Sequence, residues 1–299
     1  MKEFLKSLLV DPDSGEPLTL NGNILKGKND YLIVNDVPVM LTNREAVVSD
    51  HHQQNHSTFD YTEHYKADAE NFDYFKPVES SLTGEEERRL HQYIIKNIPT
   101  KAELILDAGC GGGWMAEALL PTGKKLVSMD IAVSNPSKVL EKHPGKNHAA
   151  IVADVFHLPF APDTFDCIIA SEIIEHVYDP KLFIEKLLNV LKPGGKLIIT
   201  TPYNEKIEYY LCIHCNRPTP KNAHLHSFTE VSFKKLTENL NIDISYKIFN
   251  NIYMYKIRLY PLVHFLPFSI WKTADNFFNS IFKKYFRLMV VITKNKKVQ

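Results

Sequence analysis

The sequence has little cysteine and no excess of charge of either sign. Only four cysteines occur in 299 residues, and none precedes Cys110. So few cysteines, two of them within the expected core, favour a reducing cytoplasm over a disulfide-stabilised secreted fold. The 35 basic and 35 acidic residues give a formal net charge of zero. No electrostatic footprint for nucleic acid is therefore visible, and we expect no nucleic-acid partner.

Long uninterrupted apolar runs are also missing. Met1–Leu9 has no long apolar core, so we expect no signal peptide. Tyr253–Trp271 is apolar but contains Lys256, Arg258 and two prolines, so we do not expect it to span a membrane. The hydrophobic content of 44% is nevertheless ample for a packed core, and the length allows one large α/β domain with an appendage.

The strongest local signal is a predicted strand, turn and helix between residues 104 and 119. Leu104–Leu106 is typical of a buried strand, and Trp114 restarts an apolar pattern at helical spacing. The turn between them contains Gly109, Gly111, Gly112 and Gly113. Such a turn indicates a nucleotide-cofactor loop, because glycines let the backbone approach a ligand closely. A dinucleotide loop of a reductase would require glycine at position 114, where this chain has tryptophan.

Two further predicted strands end in acids. Lys125–Asp130 and Ala149–Asp154 follow the glycine turn in order, and an acid about 20 residues after such a turn can bind ribose hydroxyls. The next predicted strand, Cys167–Ala170, continues into Ser171–His176. Ligands of open α/β sheets lie outside the carboxyl ends of the strands, so this loop should border the reacting group.

The pattern Asp107-x-Gly109-x-Gly111-x-Gly113, followed by Asp130, Asp154 and Lys192-Pro-Gly-Gly195, resembles class I S-adenosylmethionine (SAM) methyltransferases of the type 11 kind. The resemblance implies a Rossmann-like, doubly wound α/β fold with a seven-stranded, mostly parallel sheet. It further implies that Asp130 binds the ribose and that Asp154 meets the adenine amino group. The residues it assigns to SAM are Asp107, Gly109, Gly111, Gly113, Asp130, Ile131, Asp154, Val155 and Ser171.

The acceptor is predicted to be a small molecule, aromatic or lipid-like, methylated at oxygen or nitrogen. The loop after Cys167–Ala170 lacks the Asn/Asp-Pro-Pro-Tyr/Phe signature of nitrogen methylation in nucleic acids and proteins. His176 is the candidate general base, because an imidazole can take a proton at neutral pH. The alternative role for His176 is a helix-start histidine bonded to backbone. The alternative function is a non-catalytic SAM-binding regulator or partner protein.

The chain divides into three predicted regions. Residues 1–42 resemble a small β-rich zinc-ribbon domain that accompanies some methyltransferases, but without its cysteine ligands, and serve for docking or for packing. Residues 43–80 form a linker or a lid over the cofactor, and 81–299 form the methyltransferase domain. Insertions are expected at 203–228 and 251–287.

Each insertion carries a prediction of its own. In the first, Cys212 and Cys215 with His224 and His226 predict a structural zinc site, because a Cys-x-x-Cys turn presents two sulfurs to one ion. His224 or His226 facing the active site as a base is the alternative. In the second, an apolar stripe within 253–286 predicts peripheral contact with a membrane or a channel for a greasy substrate, and the alternative is packing against the sheet or a dimer partner.

Overall fold

The computed structural model describes residues 1–41, 64, 72–76, 81–212, 216–256 and 265–296. The N-terminal region contains α1 (Glu3–Lys6), β1 (Thr19–Asn21), β2 (Ile24–Lys26), β3 (Asp30–Val34) and β4 (Val37–Pro38). The remaining elements, in chain order, are α2 (Ser81–Asn97), β5 (Leu104–Ala108), α3 (Trp114–Leu119), β6 (Lys125–Asp130), α4 (Ser134–Lys142), β7 (His148–Val152), β8 (Phe165–Ser171), α5 (Pro180–Val190), β9 (Leu191–Pro202), β10 (Tyr209–Leu211), β11 (Pro218–Pro220), α6 (Glu230–Leu236), β12 (Ile242–Asn251), α7 (Ile252–Lys256), α8 (Phe268–Phe282) and β13 (Tyr285–Lys294).

A seven-stranded central sheet carries the order β12-β13-β9-β8-β5-β6-β7. The strands from β5 to β9 pair in parallel, whereas β13 lies antiparallel between β9 and β12. Both faces of the sheet are covered, since the consecutive residues Ile105 and Leu106 of β5 belong to two different buried clusters. The α/β fold with a mostly parallel seven-stranded sheet that the resemblance implied is confirmed.

Short-range signals fix where several helices begin. Asp179 caps α5 by accepting the backbone N–H of Leu182 at 2.9 Å, and Pro180 occupies the first turn. Thr229 and Ser232 form a reciprocal capping box at the start of α6. β9 begins at Leu191, because Leu191 pairs with Phe165 across an irregular register.

The N-terminal region forms a four-stranded antiparallel sheet, β1-β2-β3-β4, whose turns meet at one buried carboxylate. Asp11 accepts the backbone N–H groups of Asp13, Ser14 and Lys28 at 2.8–2.9 Å, and the Tyr31 hydroxyl at 3.1 Å. Burial raises the pKa of Asp11, but these hydrogen bonds outweigh it and leave the pKa below its usual range.

This region also joins the central sheet. The backbone N–H of Met40 donates to the Val152 carbonyl at 2.8 Å, and Val39 forms a parallel bridge with Val152 at the end of β7. Leu5, Leu25 and Tyr31 are buried in the same cluster as the apolar residues on one face of the central sheet. The N-terminal sheet therefore packs directly on the α/β domain.

Helix α8 packs on a buried cluster through a face that is partly apolar and partly polar, and it carries further apolar residues that are exposed. Its buried residues are Trp271, Asp275 and Asn279, and Asp275 accepts the backbone N–H groups of Asn250 and Asn251 at 3.2 and 2.9 Å. The polar residues on the buried side are thus used to bind the end of β12. No described helix has both the length and the hydropathy that crossing a membrane requires.

Candidate cofactor and active site

The glycine turn after β5 adopts backbone conformations that favour glycine. Gly109, Gly111 and Gly113 have φ angles of 84°, 43° and 80°. The N–H groups of Gly109 and Cys110 donate to the Met129 carbonyl at 2.8 and 2.9 Å, which holds the turn against the end of β6. The loop is therefore fixed at the carboxyl edge of the sheet, as the sequence predicts.

Close neighbours leave little room for side chains in this turn. A Cβ on Gly109 would lie 2.3 Å from Ile173 Cδ1, and a Cβ on Gly112 would lie 2.3 Å from the Tyr74 carbonyl oxygen. At Gly111 the nearest atom is a Tyr74 ring carbon at 3.9 Å. The cradle is thus bordered by the loop after β8 on one side and by the short segment around Tyr74 on the other.

Two carboxylates lie behind the glycine turn. Asp130 Oδ2 accepts the Gly111 N–H at 3.1 Å, and Asp130 Oδ1 accepts the Ala132 N–H at 3.0 Å. Asp107 is 2% exposed, and its Oδ2 atom has no hydrogen-bond partner within the described part of the chain. Burial raises the pKa of Asp107 well above its usual range, and the Asp130 charge raises it further. A bound group with hydrogen-bond donors and a positive charge would stabilise these two buried carboxylates.

The remaining residues assigned to SAM lie along the same edge. Asp154 closes the turn after β7 by accepting the Phe156 N–H at 2.9 Å, and Ser171 exchanges a hydroxyl hydrogen bond with Thr200 at 2.9 Å. The side chains of Ile131 and Val155 are half-buried and pack against the core. The fold therefore brings the ends of β5, β6, β7 and β8 together, each with its predicted residues.

The residue after Ser171 is a functional candidate that the sequence does not single out. Glu172 has a φ of 57°, and its Oε1 atom is buried without a hydrogen-bond partner among the described residues. Its Oε2 atom is ion-paired with Arg287 of β13, and Arg287 also donates to Glu86 of α2 at 2.8 Å. Only the fold brings these three residues together, so no local pattern could have predicted them.

His176 lies in a cluster with Glu175 and His224. Each of the three offers a ligand atom within 4.8 Å of the others. Among the residues that the structure describes, these three form the group that could hold a metal ion. His176 Nδ1 is 3.2 Å from the Ala223 carbonyl, and burial followed by the neighbouring His224 lowers the pKa of His176 to about 4. Glu175 is buried and is 3.0 Å from the Thr201 hydroxyl, and burial raises its pKa to about 8.

The three described residues of the predicted zinc site have different surroundings. His224 Nδ1 pairs with Glu205 at 2.5 Å, while His226 Nε2 is bonded to the Val177 carbonyl at 2.9 Å. Cys212 is half-buried in the β10–β11 hairpin, and Cys215 lies outside the described residues. The zinc site therefore stays a prediction, and His224 belongs to the cluster with Glu175 and His176.

Aromatic residues lie where β9 and β13 meet the carboxyl edge of the central sheet. Tyr203, just beyond β9, contacts Tyr285 edge-on with ring centroids 5.7 Å apart. Tyr285 lines an open cleft of about 390 Å³ between β12 and α8, together with Glu230 and Tyr246. This end of the site offers ring surfaces and hydroxyls to an organic molecule.

The site combines a cradle for an extended polar ligand with a neighbouring acid-base cluster. Glycine N–H groups and the two carboxylates can bind hydroxyl and ammonium groups. The end of β8 and the histidine cluster lie at the carboxyl edge of the sheet, as the cradle does. Such a site can hold two molecules in reach of each other and take a proton from one of them.

A family model described as a methyltransferase domain matches residues 84–246, which is more than half of the chain. Ubiquinone biosynthesis O-methyltransferase of Xylella fastidiosa is 31% identical over 142 residues, 44% of this chain and 56% of that protein. The mitochondrial enzyme of the same name from Rattus norvegicus is 34% identical over 122 residues, 38% of this chain and 35% of that protein. The chain thus spans about half of the length of the first relative and about a third of the length of the second.

Solved structures agree on the fold. A putative S-adenosylmethionine dependent methyltransferase from Listeria monocytogenes superposes with a TM-score of 0.51 at 13% identity, covering 71% of this chain and all of that one. The PH0226 protein from Pyrococcus horikoshii OT3 also gives 0.51, at 17% identity, covering 79% of this chain and all of that one. At such identities the likeness concerns the fold alone.

Proposed function

Because this chain belongs to the methyltransferase domain family, within the class I SAM-dependent methyltransferases, we propose that it transfers the methyl group of SAM to a small acceptor. The observation that carries the proposal is the pairing of buried Asp107 with Asp130 behind a glycine cradle. The O-methyltransferases to which the chain is similar support oxygen as the acceptor atom, with nitrogen as the second candidate.

The residues present fit SAM. Asp107 Oδ2, which has no hydrogen-bond partner among the described residues, offers an acceptor for an ammonium group. Asp130 offers its oxygens to ribose hydroxyls. Asp154 and Val155 would border the adenine, with Ile131 beside the ribose. The backbone of Gly109, Gly111 and Gly113 gives the cofactor close access, and Ser171 marks the methyl end.

Bound SAM supplies an electrophilic methyl group on a sulfonium. The task of the protein is therefore to hold the acceptor atom in line with that methyl and to exclude water. Residues at the end of β8 would position the acceptor, because Ile173 already packs against Gly109 in the cradle. Tyr203 and Tyr285 would contact the far side of the acceptor.

His176 is the proposed base for a hydroxyl acceptor. A hydrogen bond from Nδ1 to the Ala223 carbonyl leaves Nε2 without its proton, which is the tautomer that can accept one. The two roles weighed from the sequence are thereby compatible, because the backbone bond orients the ring. As the new oxygen–carbon bond forms, the hydroxyl proton would pass to Nε2 and the sulfonium would become a neutral thioether.

The acceptor is proposed to be a small aromatic or lipid-like molecule. The support is the pair of rings of Tyr203 and Tyr285 and the exposed apolar residues of the insertion that carries α8. A cytoplasmic location, a lid formed by 43–80 and the three-region division of the chain also remain proposals. Tyr74, which borders Gly111 and Gly112, supports the lid.

Methyl-labelled SAM tests the function. Incubation of the protein with a catechol probe, and separately with aqueous and organic cell extracts, should move label into a small molecule. At a SAM concentration near the dissociation constant of the unchanged protein, the Asp130→Ala variant should show much less transfer, and an exposed Asp243→Ala variant should behave as the unchanged protein. If SAM binds tightly and no acceptor is labelled, the protein is a SAM-binding regulator or partner instead.

A further inference from the structure

The outward face of α8 is apolar although most of the surface around it is polar. Ile270, Phe277 and Ile281 are 54%, 62% and 56% exposed. They are spaced by seven and four residues, which places them on one side of the helix. This outer face lies opposite the buried residues Trp271, Asp275 and Asn279. Within the described residues, this outer face is therefore largely open to solvent.

Three further exposed aromatic residues lie near the ends of α8. Phe265 precedes the helix and is 79% exposed, while Phe282 at its end is 44% exposed. Tyr253 of α7 is 36% exposed and contacts Phe282 with ring centroids 5.2 Å apart. Phe282 also stacks on Phe278, whose ring contacts that of Phe277, so Tyr253 and Phe282 are joined to the outer face through ring contacts. Exposed apolar side chains gathered in this way mark a site of interaction.

The exposed charges within residues 265–285 are all positive. Lys272, Lys283 and Lys284 are exposed, and the only acid between residues 265 and 285 is Asp275, which is fully buried. Exposed apolar groups with lysines nearby, here Lys283 and Lys284 at the end of the helix, are typical of helices that lie in the interface of anionic membranes. A two-fold contact between copies of this chain would instead bring like charges close to each other.

We propose that the outer face of α8 binds the surface of an anionic lipid bilayer. The apolar residues enter the boundary between headgroups and acyl chains, and the lysines contact lipid phosphates. A helix of 15 residues that lies parallel to the surface has the length for such a contact without spanning the bilayer.

The geometry links this face to the active-site edge. The carbonyl of Lys284 accepts the Ile252 N–H at 2.8 Å, and the next residue, Tyr285, contacts Tyr203 at the end of β9. Binding through α8 thus places the acceptor end of the site next to the membrane. The inference rests on the proposed methyl transfer only for this consequence, that a lipid-like acceptor enters from the bilayer.

Vesicle binding without SAM tests the surface separately from the reaction. The protein should sediment with phosphatidylcholine vesicles that contain phosphatidylglycerol, more weakly with phosphatidylcholine alone, and less as salt is raised. Phe277→Ser/Ile281→Ser should lower the partition coefficient at least about tenfold. Val231→Ser, at an apolar residue of α6 that is 66% exposed, should leave binding unchanged.

A variant with two lysines replaced distinguishes a loss of membrane binding from a folding defect. Lys283→Gln/Lys284→Gln should reduce binding to the anionic vesicles and keep the circular dichroism and SAM affinity of the unchanged protein. Failure of the unchanged protein to sediment with anionic vesicles would overturn the proposal. A dimer in light scattering that Phe277→Ser/Ile281→Ser converts to a monomer would also overturn it, by making the face a contact between copies. Loss of methyl transfer with intact vesicle binding would count against the proposed function alone.

Discussion

Arg287 on β13 forms an ion pair with Glu172, the residue that follows β8, although 115 positions separate them in the chain. The same guanidinium binds Glu86 of α2, so one side chain joins three elements at the active-site edge. Glu172 has a left-handed backbone that a non-glycine residue adopts only when its surroundings hold it there. The ion pair to Arg287 supplies that restraint.

Arg287→Gln should therefore destabilise the protein. The side chains of Arg287 and Glu86 are 14% and 7% exposed, and removing one partner of such a pair leaves a poorly solvated charge that costs about 3 kcal/mol. Urea denaturation measures the loss. Arg217→Gln, at an exposed arginine, is the matched control. An equal and small effect in both variants would contradict the role of Arg287.

Asp130→Ala should weaken SAM binding at least about tenfold, because a lost hydrogen bond to a charged group costs about 1.5–3 kcal/mol. Calorimetry gives the dissociation constant directly. Asp243→Ala removes an exposed aspartate far along the sheet on β12 and should leave affinity unchanged. Unchanged affinity in Asp130→Ala would remove the ribose assignment.

His176→Gln should lower kcat about 10²–10⁴-fold for a hydroxyl acceptor and leave SAM affinity intact, because it removes only the proton acceptor. The comparison with an amine acceptor is informative, since a neutral amine can be methylated before it loses a proton. His143→Gln provides a histidine control away from the cluster. An equal loss for both kinds of acceptor would indicate that His176 merely shapes the site.

Zinc analysis of protein purified without a histidine tag addresses the predicted metal site. Near-stoichiometric zinc that disappears in Cys212→Ser would support ligation by Cys212, Cys215, His224 and His226. Zinc that persists in Cys212→Ser but is lost in Glu175→Gln would belong to the cluster of Glu175, His176 and His224. Fully folded, metal-free protein would rule out both.

Asp11 should make the N-terminal sheet sensitive to acid. Its pKa is lower in the folded protein than in the unfolded chain, so its stabilising effect is complete above about pH 4 and disappears as the pH falls through the folded pKa. Asp11→Asn should cost about 1.5–3 kcal/mol at pH 7 and flatten this acid dependence. Asp30→Asn, at an exposed position of β3, is the control. Parallel acid profiles in the unchanged protein and Asp11→Asn would refute this account.

The sequence predicts the cradle well because its signals are local. Gly109, Gly111 and Gly113 lie in one turn, whereas Asp130 ends β6 and Asp154 follows the last residue of β7 by two positions. The contacts of Arg287 and the pairing of His224 with Glu205 depend on loops that meet only in the folded chain. The spacing of residues in the sequence does not predict these contacts.

Helix α8 shows a different reason for incomplete prediction. An apolar stripe indicates that one side of a helix avoids water, and the usual inference is that this side packs on the protein. In α8 the protein-facing side contains Trp271 within a buried apolar cluster. Asn250 and Asn251 also donate hydrogen bonds to Asp275 on this side, while other apolar residues of the helix stay exposed. Periodicity locates the stripe, but only the packed structure tells which side is inward.

The bond between Met40 and Val152 has a consequence for solubility. β7 is the last strand of the central sheet, and an uncovered last strand offers its backbone groups to strands of other molecules. The segment that carries Val39 and Met40 covers the end of that strand, and Val37 packs on Ala150 and Val152. The N-terminal sheet thus limits the addition of foreign strands to β7 and the aggregation that follows from such addition.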